Sequence, residues 1–291
     1  MIRVAAAAYP LDPLASEAAV VAKVTGWAET AARGGAEILV FPEYAGIELA
    51  APGGYAARLD RTPTVLAARV SAHDAALSRL AARLGVVLVA GSLPLALSGG
   101  VVNRARVFLP DGQSRAQDKI VPTPWERAVW DVQGGGPLRV IETPFARIAL
   151  LICYDVEFPL LGRAALEAGA ELLLVPAATE RRAGQSRVRV GAMARALEGQ
   201  CAVVHAPLIG GAPWAAAVDV NHGTAAIYTP ADGAFPETGV LAEGQPETPG
   251  WVMADVDLPA LSALRDRGEV RGVAHWPEQA SVKTVGMALE P

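Results

Sequence analysis

The sequence predicts an α/β protein in which two mixed sheets pack face to face with helices flanking them. Three observations predict it. Helix-like and strand-like stretches alternate along most of the chain, the strands are short and rich in β-branched and aliphatic residues, and the last strands are joined by hairpin-like turns instead of helices. Hydrophobic residues make up 52% of the 291 positions and charged residues only 19%, which supports a large buried core and excludes disorder.

The first strand runs over Arg3 to Ala8. A helical stretch from Ser16 to Arg33 follows, with Gly34-Gly35 as its stop. Ile38-Leu39-Val40-Phe41 is a buried-strand pattern that runs straight into Pro42-Glu43-Tyr44. A second helix, Thr64 to Arg83, ends at Gly85 before the strand Val86 to Ala90, so two β-α-β-like units open the chain. Ala105 to Leu109 and Arg115 to Gln117 form a hairpin around Pro110-Asp111-Gly112, and it delivers Asp118-Lys119 to the loop Val121-Pro122-Thr123-Pro124. The apolar stretch Val140 to Ile152, broken near Thr143-Pro144, reads as paired strands ending in Cys153. Then come a helix from Gly162 to Ala168, a strand from Glu171 to Val175, a helix from Ser186 to Leu197 stopped at Gly199, and a strand from Cys201 to Ala206. Short strands at Thr224 to Thr229 and Trp251 to Asp255, around the turn Asp232-Gly233, complete the sheets. One domain is expected to occupy 1–270. The stretch 271–291 has little periodicity and reads either as an arm packing on a partner subunit or as a mobile end.

Glu43, Lys119 and Cys153 each follow a strand, and strand ends are where α/β proteins build sites, because loops converge there over a rigid sheet. Cys153 falls at a strand-to-helix turn, a place that can hold a nucleophile on a rigid edge. A free thiol has a pKa near ~8.5, so little of it is thiolate at neutral pH. A carboxylate within reach can take the proton as the new bond forms and later activate water. A lysine ammonium supplies fixed positive charge for the oxyanion, and the Tyr154 N–H is a second candidate donor. The set describes acyl transfer through a thioester.

Phe41-Pro42-Glu43-Tyr44, Asp118-Lys119 and Leu151-Ile152-Cys153-Tyr154-Asp155 together resemble the three signatures of the nitrilase superfamily of carbon–nitrogen hydrolases, over Ile2 to roughly Leu264. The resemblance implies a Glu43-Lys119-Cys153 triad, a four-layer α-β-β-α sandwich, no cofactor, and a homodimer or larger homo-oligomer. A second glutamate between lysine and cysteine is usual in that family, and Glu126 matches it. Tyr-Asp after the cysteine, here Tyr154-Asp155, is the pattern of amidases, whereas nitrilases tend to carry Trp-Glu there. The family's Arg before Phe-Pro is Glu157 in this chain, which either pairs at the site rim or is solvated. The segment Thr179 to Glu198 is similar to one bacterial branch whose hydrolase domain is often fused to an acetyltransferase-like domain. The present chain is expected to hold the hydrolase domain alone.

Other residues carry open readings. Glu126 lies in a Pro-rich loop and either orients substrate and helps the base or sits on the surface. Trp125, Trp130 and Tyr44 either wall the pocket or plug the core edge. Thr179 follows the strand near Cys153, and Arg181 or Arg182 either grips a substrate carboxylate or sits at a subunit interface. His205, in an apolar strand, and His222, in a loop, could serve Cys153 as base, though a core histidine satisfied by backbone and a surface histidine are the plainer readings. Cys201 reads as a core thiol. No metal-ligand spacing of His or Cys occurs.

A net charge of −5 without a basic run points away from nucleic acid, and two cysteines suit a reducing compartment. The N-terminal apolar run breaks at Pro10, too early for a secretory signal, and nothing approaches the ~20 apolar residues of a membrane span. These features set a cytoplasmic expectation and exclude the membrane-bound acyltransferase relatives. The expected reaction is hydrolysis of a small amide with release of ammonia or an amine. Nitrile or N-carbamoyl amino acid hydrolysis is the alternative within the family, and a catalytically idle scaffold is the alternative outside catalysis.

Overall fold

A computed structural model describes residues 1–283. The first sheet is ordered β5 (Ser114–Asp118), β4 (Gly100–Phe108), β3 (Val87–Leu97), β2 (Ile38–Val40), β1 (Ile2–Pro10), with β13 (Gly250–Val256) antiparallel to β1 on its far side. β1, β2 and β3 are parallel, joined by crossover helices α1 (Glu17–Arg33) and α2 (Thr62–Leu84). The second sheet runs β6 (Val140–Glu142), β7 (Arg147–Leu150), β8 (Leu172–Ala177), β9 (Ala202–Gly211), β11 (Ala226–Tyr228), β12 (Val240–Glu243), with β10 (Val220–Asn221) on the end of β9. Its crossover helices are α4 (Pro159–Glu167) and α5 (Arg182–Gly199). Among the described residues the sheets pair strand to strand only where β1 meets β9, at Tyr9 with Leu208 and Pro10 with Ile209.

The two-residue period of a strand sorts β1 between two cores. Val4, Ala6 and Ala8 face the second sheet and join a cluster with Leu150, Leu174 and Val204. Ala5, Ala7 and Tyr9 face outward against Val20, Val24 and Ala28 of α1 and Leu66 and Leu77 of α2. On the opposite side, Val188, Ala192 and Ala196 of α5 and Ala165 of α4 cover the second sheet. Layers therefore stack helix, sheet, sheet, helix. Small residues at the helix contacts let the layers approach closely.

Local chemistry explains the element ends. The Ser16 side chain accepts from the Ala19 N–H at 3.1 Å, capping α1, and Gly85 takes the left-handed conformation that closes α2. Both early helices match their sequence reading to within two residues. Several features differ from it, among them β3, which runs on to Leu97 where the sequence reading ended it at Ala90. The segment carrying Glu126 is α3 (Pro124–Trp130), because Thr123 and Glu126 form a reciprocal capping box and Pro124 is tolerated in a first turn. The hairpin partner of β11 is β12, a short half-buried run, and the loop between them holds Asp232-Gly233. β13 belongs to the other sheet. Beyond β13, α6 (Leu258–Arg267) and α7 (Gly272–His275) are helical, and Trp276 is buried beneath the Arg163 guanidinium at 5.0 Å. Residues 284–291, part of the stretch read as an arm or mobile end, lie outside the described residues.

Candidate active site

Cys153 stands three residues past β7, at the first position of a 3-10 turn, with φ of 48°. That left-handed backbone costs a non-glycine residue on the order of 1 kcal/mol or more, and the surrounding packing must hold it. Its Sγ donates to the Ala178 carbonyl at 3.5 Å. The N–H groups that open such a turn have no carbonyl behind them, which leaves the Tyr154 N–H for a ligand.

Glu43 is set by a device in the neighbouring strand. A bulge in β3 between Val89 and Ser92 places Gly91 at φ 66°, where a Cβ would lie 2.0 Å from the Pro42 carbonyl oxygen. Ser92 then donates its N–H to Pro42 O at 3.3 Å and accepts the Tyr44 N–H on Oγ at 3.2 Å. The Pro42-Glu43-Tyr44 turn is thereby fixed, with Tyr44 also at positive φ.

The charged groups form a closed ring. Lys119 Nζ donates to Glu43 Oε1 at 2.7 Å and to Glu126 Oε2 at 2.8 Å. The Asn103 side-chain amide donates to Glu43 Oε1 and to Glu126 Oε1, each at 2.9 Å. Tyr44 Oη donates to Glu126 Oε1 at 2.5 Å and the Thr123 N–H to Oε2 at 2.7 Å. The Ala178 N–H donates to Glu43 Oε2 at 3.0 Å, so the residue just past β8 touches both the thiol and the carboxylate that follows β2. All four ring side chains are buried.

Their electrostatics differ. Burial pushes Glu43 above the ordinary carboxylate range, Lys119 pulls it down, and Glu126 pushes it up again. Burial also acts on Glu126, but Lys119, the Tyr44 hydroxyl and the Thr123 N–H overcome it and bring that carboxyl down to about 2. Burial opposes the Lys119 charge, and the two carboxylates more than offset it, so the ammonium stays protonated. Burial, followed by the Glu43 charge, holds the Cys153 thiol well above its usual value. The resting site is thus a neutral thiol beside a proton-accepting carboxylate, a fixed cation and a second carboxylate that stays ionised. Such a set can run acyl transfer in which the proton leaves sulfur as the bond forms.

The strand ends enclose a cavity of about 590 Å³ holding Glu43, Lys119, Glu126 and Cys153. A family model described as "Carbon-nitrogen hydrolase" matches residues 3–266. This chain belongs to the carbon–nitrogen hydrolase family. Among relatives of the hydrolase, "Probable hydrolase YhcX" of Bacillus subtilis is 34% identical over 216 residues, spanning 73% of this chain but only 42% of that protein. "Deaminated glutathione amidase" of Synechocystis is 30% identical over 252 residues, spanning 82% of this chain and 86% of the relative. Among solved structures, the amidase of Nesterenkonia sp. AN1 is 27% identical with a TM-score of 0.68, covering 92% of this chain and 96% of that one. That structure shows the result of Michael addition of acrylamide at the active site cysteine of a mutant amidase. The layered fold expected of the family is therefore the fold of this hydrolase.

The remaining sequence candidates of the hydrolase divide. Tyr44 and Trp125 line the cavity, whereas Trp130 is buried behind them, edge-on to both, with its indole N–H on the Leu59 carbonyl. Thr179 lines the cavity, but its hydroxyl donates to His222 O at 2.6 Å. Arg181 lies at the mouth, 82% exposed, beside Glu180 at 3.8 Å, while Arg182 turns to Glu247 at 2.9 Å and does not line the cavity. Glu157 is half-buried and faces Arg187 at 3.5 Å across the rim, the paired rather than the solvated reading. Neither His205 nor His222 lines the cavity. His205 is a core residue pushed by burial down to about 4, although its Nδ1 has no partner, unlike the satisfied histidine expected. His222 meets Glu247 at 2.8 Å. Among the described residues no cluster of His, Cys, Asp and Glu suits a metal ion, and no helix is long and apolar enough to cross a membrane.

Two site residues escaped the sequence reading. Asn103 sits within β4, and an Asn inside a strand is itself a signal, since strands disfavour it. Asp155 is fully buried and accepts the N–H groups of Ile120 (3.2 Å), Val121 (2.8 Å) and Ile152 (3.1 Å). It ties the loop after Lys119 to the turn holding Cys153. Its place beside the thiol was visible, but its three partners are set by tertiary structure.

Proposed function

We propose that this hydrolase cleaves a small amide through a Cys153 thioester. The observation that carries the reading is the convergence of a buried thiol, Glu43, Lys119 and Glu126 on one cavity. Cys153 Sγ attacks the amide carbonyl carbon while its proton passes to Glu43. Lys119 Nζ and the Tyr154 N–H stabilise the oxyanion. As the tetrahedral adduct collapses, the C–N bond breaks and the Glu43 proton leaves with ammonia or the amine. Glu43 then deprotonates a water that attacks the thioester, releasing the acid and returning the thiol. Glu126, held ionised, keeps Lys119 charged and in place.

An amide is favoured over a nitrile by Tyr154-Asp155 and by the names of the Synechocystis relative and the Nesterenkonia structure. The cavity volume suits a small ligand, and its mouth carries Glu157, Arg187, Glu180 and Arg181. N-carbamoyl amino acids and nitriles are the alternative substrates. The test is ammonia release over a panel of small amides, N-carbamoyl amino acids and nitriles, beside Cys153→Ala. Release that vanishes in the mutant is expected, with amides preferred. Turnover that survives Cys153→Ala would end the thioester mechanism, and an inert Cys153 toward electrophiles as well as substrates would favour the idle scaffold.

The compositional features described above support a cytoplasmic hydrolase without membrane or nucleic-acid partners. A homodimer or larger homo-oligomer is supported by Leu160 of α4 and Val190 and Leu197 of α5, exposed to 75%, 66% and 57% on the outer helical layer. Light scattering of the wild type against Val190→Lys/Leu197→Glu tests this, and a wild-type monomer would refute it.

A further inference from the structure

Asn103 closes the ring of charges, and nothing in the family signatures used above assigns it a role. Its amide nitrogen has two hydrogens, one directed to Glu43 Oε1 and one to Glu126 Oε1. The reverse orientation would set its carbonyl oxygen against two carboxylate oxygens, so the donor assignment is forced. The consequence is a buried Asn103 Oδ1 without a partner among the described residues. Leaving an acceptor unmet in the interior costs roughly 1–3 kcal/mol, a cost set against the two hydrogen bonds that the same amide gives to buried carboxylates. The backbone reinforces the arrangement, because the Lys119 N–H donates to the Asn103 carbonyl at 2.8 Å and sets the two residues side by side at the end of the β4–β5 ladder.

We infer that Asn103 is a positioning residue that holds the Glu43 and Glu126 carboxylates on either side of Lys119 and keeps Glu43 ionised as the acceptor of the Cys153 proton. Lys119 alone cannot do this. It neutralises one unit of charge where two carboxylates share a buried space, and like charges in such a space drive one of them to take up a proton. An uncharged double donor stabilises both anions without competing for the oxyanion as a second cation would. Asn103 does not line the cavity, and it acts through Glu43. The inference rests on the thioester reading above.

The test has two variants and two readouts. Asn103→Leu removes both donors at similar volume, and Asn103→Asp keeps the shape but adds a third carboxyl to the ring. For each, the pH profile of kcat on the preferred amide and the pH profile of Cys153 alkylation by iodoacetamide are measured, with thermal melting as the control for folding. Asn103→Leu is expected to lower kcat roughly 10- to 100-fold with KM changed far less. Its acid limb should move up by about half a unit or more in both profiles, and that of Asn103→Asp should also move up. A merely structural role would lower the melting temperature and leave both limbs in place, and that result overturns the inference. If Asn103→Leu does not fold, Asn103→Asp decides alone, an unmoved limb being fatal. The alkylation profile separates the two layers of the reading. Should no substrate turn over in the wild type, a shifted alkylation limb still supports Asn103 acting through Glu43, and an unshifted one refutes it.

Discussion

Two thiols in one chain behave differently because of their surroundings. Cys201 is walled into the core, and burial pushes it up to about 12. Cys153 is equally unready as a resting thiolate, but it opens to the cavity and has a carboxylate to take its proton. An electrophile such as iodoacetamide should therefore label Cys153 much faster than Cys201. Equal rates by peptide mapping would sink the activated-thiol picture. Glu43 must be ionised to accept that proton, and its pKa is raised from the ordinary 4.5, so the acid limb of kcat/KM should lie above 4.5. Glu43→Gln should lower kcat by roughly 100- to 10,000-fold. Asp155 gives a separate signature in stability. Burial lifts it from 3.8 to about 6 against its three N–H donors, so the folded state binds this proton more tightly than the unfolded chain. The stabilisation is complete below about 3.8 and is lost as pH rises through about 6. Asparagine cannot titrate, so the melting temperature of the wild type minus that of Asp155→Asn should increase between about pH 7 and about pH 4.5, and a constant difference would contradict the shift. Glu43, Lys119 and Cys153 were legible as candidates at this scale because each directly follows a strand, and Glu126 because it matches the family's second glutamate. Asn103 and Asp155 were not, because a bridging role is a property of distances between segments far apart in sequence.

Among the elements, the bulge in β3 and the short helix α3 carry the geometry of the site. Gly91→Ala would put a methyl group against the Pro42 carbonyl and demand a left-handed alanine. A loss on the order of 3 kcal/mol is expected, with activity falling further than stability because the Glu43 turn is displaced. Urea unfolding of Gly91→Ala that matched wild type would show the bulge to be soft. Thr123→Ala removes one half of the capping box and should cost about 1 kcal/mol. Most helices and strands could be read from period and stop signals, but β3 runs seven residues past its expected end at Ala90, β9 five past Ala206, and β4 begins five before Ala105. β10 and β12 could not be read, since runs of two and four residues carry no usable period and exist only because β9 and β11 offer them edges. The α3 segment was hidden by Pro122 before it and Pro124 at its start, since proline marks a loop in one context and a helix start in another.

At the scale of the molecule, the two sheets share one interior. Val4 and Ala6 from the first and Leu150 and Val204 from the second belong to the same apolar cluster, so neither sheet buries its inner face alone. Far-UV signal, tryptophan fluorescence and activity should accordingly be lost in one coincident transition despite the length of the chain. A resolved step in which the N-terminal sheet survives would show two independent units. Paired sheets were foreseeable from the order of elements, but the junction confined to Tyr9, Pro10, Leu208 and Ile209 was not.

That division of labour between sheets bears on how the protein is made. Glu43, Asn103, Lys119 and Glu126 all precede the second sheet in the chain, whereas Cys153 and Ala178 arrive with it. A nascent chain emerging N-terminus first holds the acceptor and the cation before it holds any thiol for them to act on. The sulfur meets the Glu43 carboxylate only when β7 and β8 pack against the strands of the first sheet. Half-made molecules are thus chemically silent, and the thiol is not primed until a cavity exists to choose what reaches it.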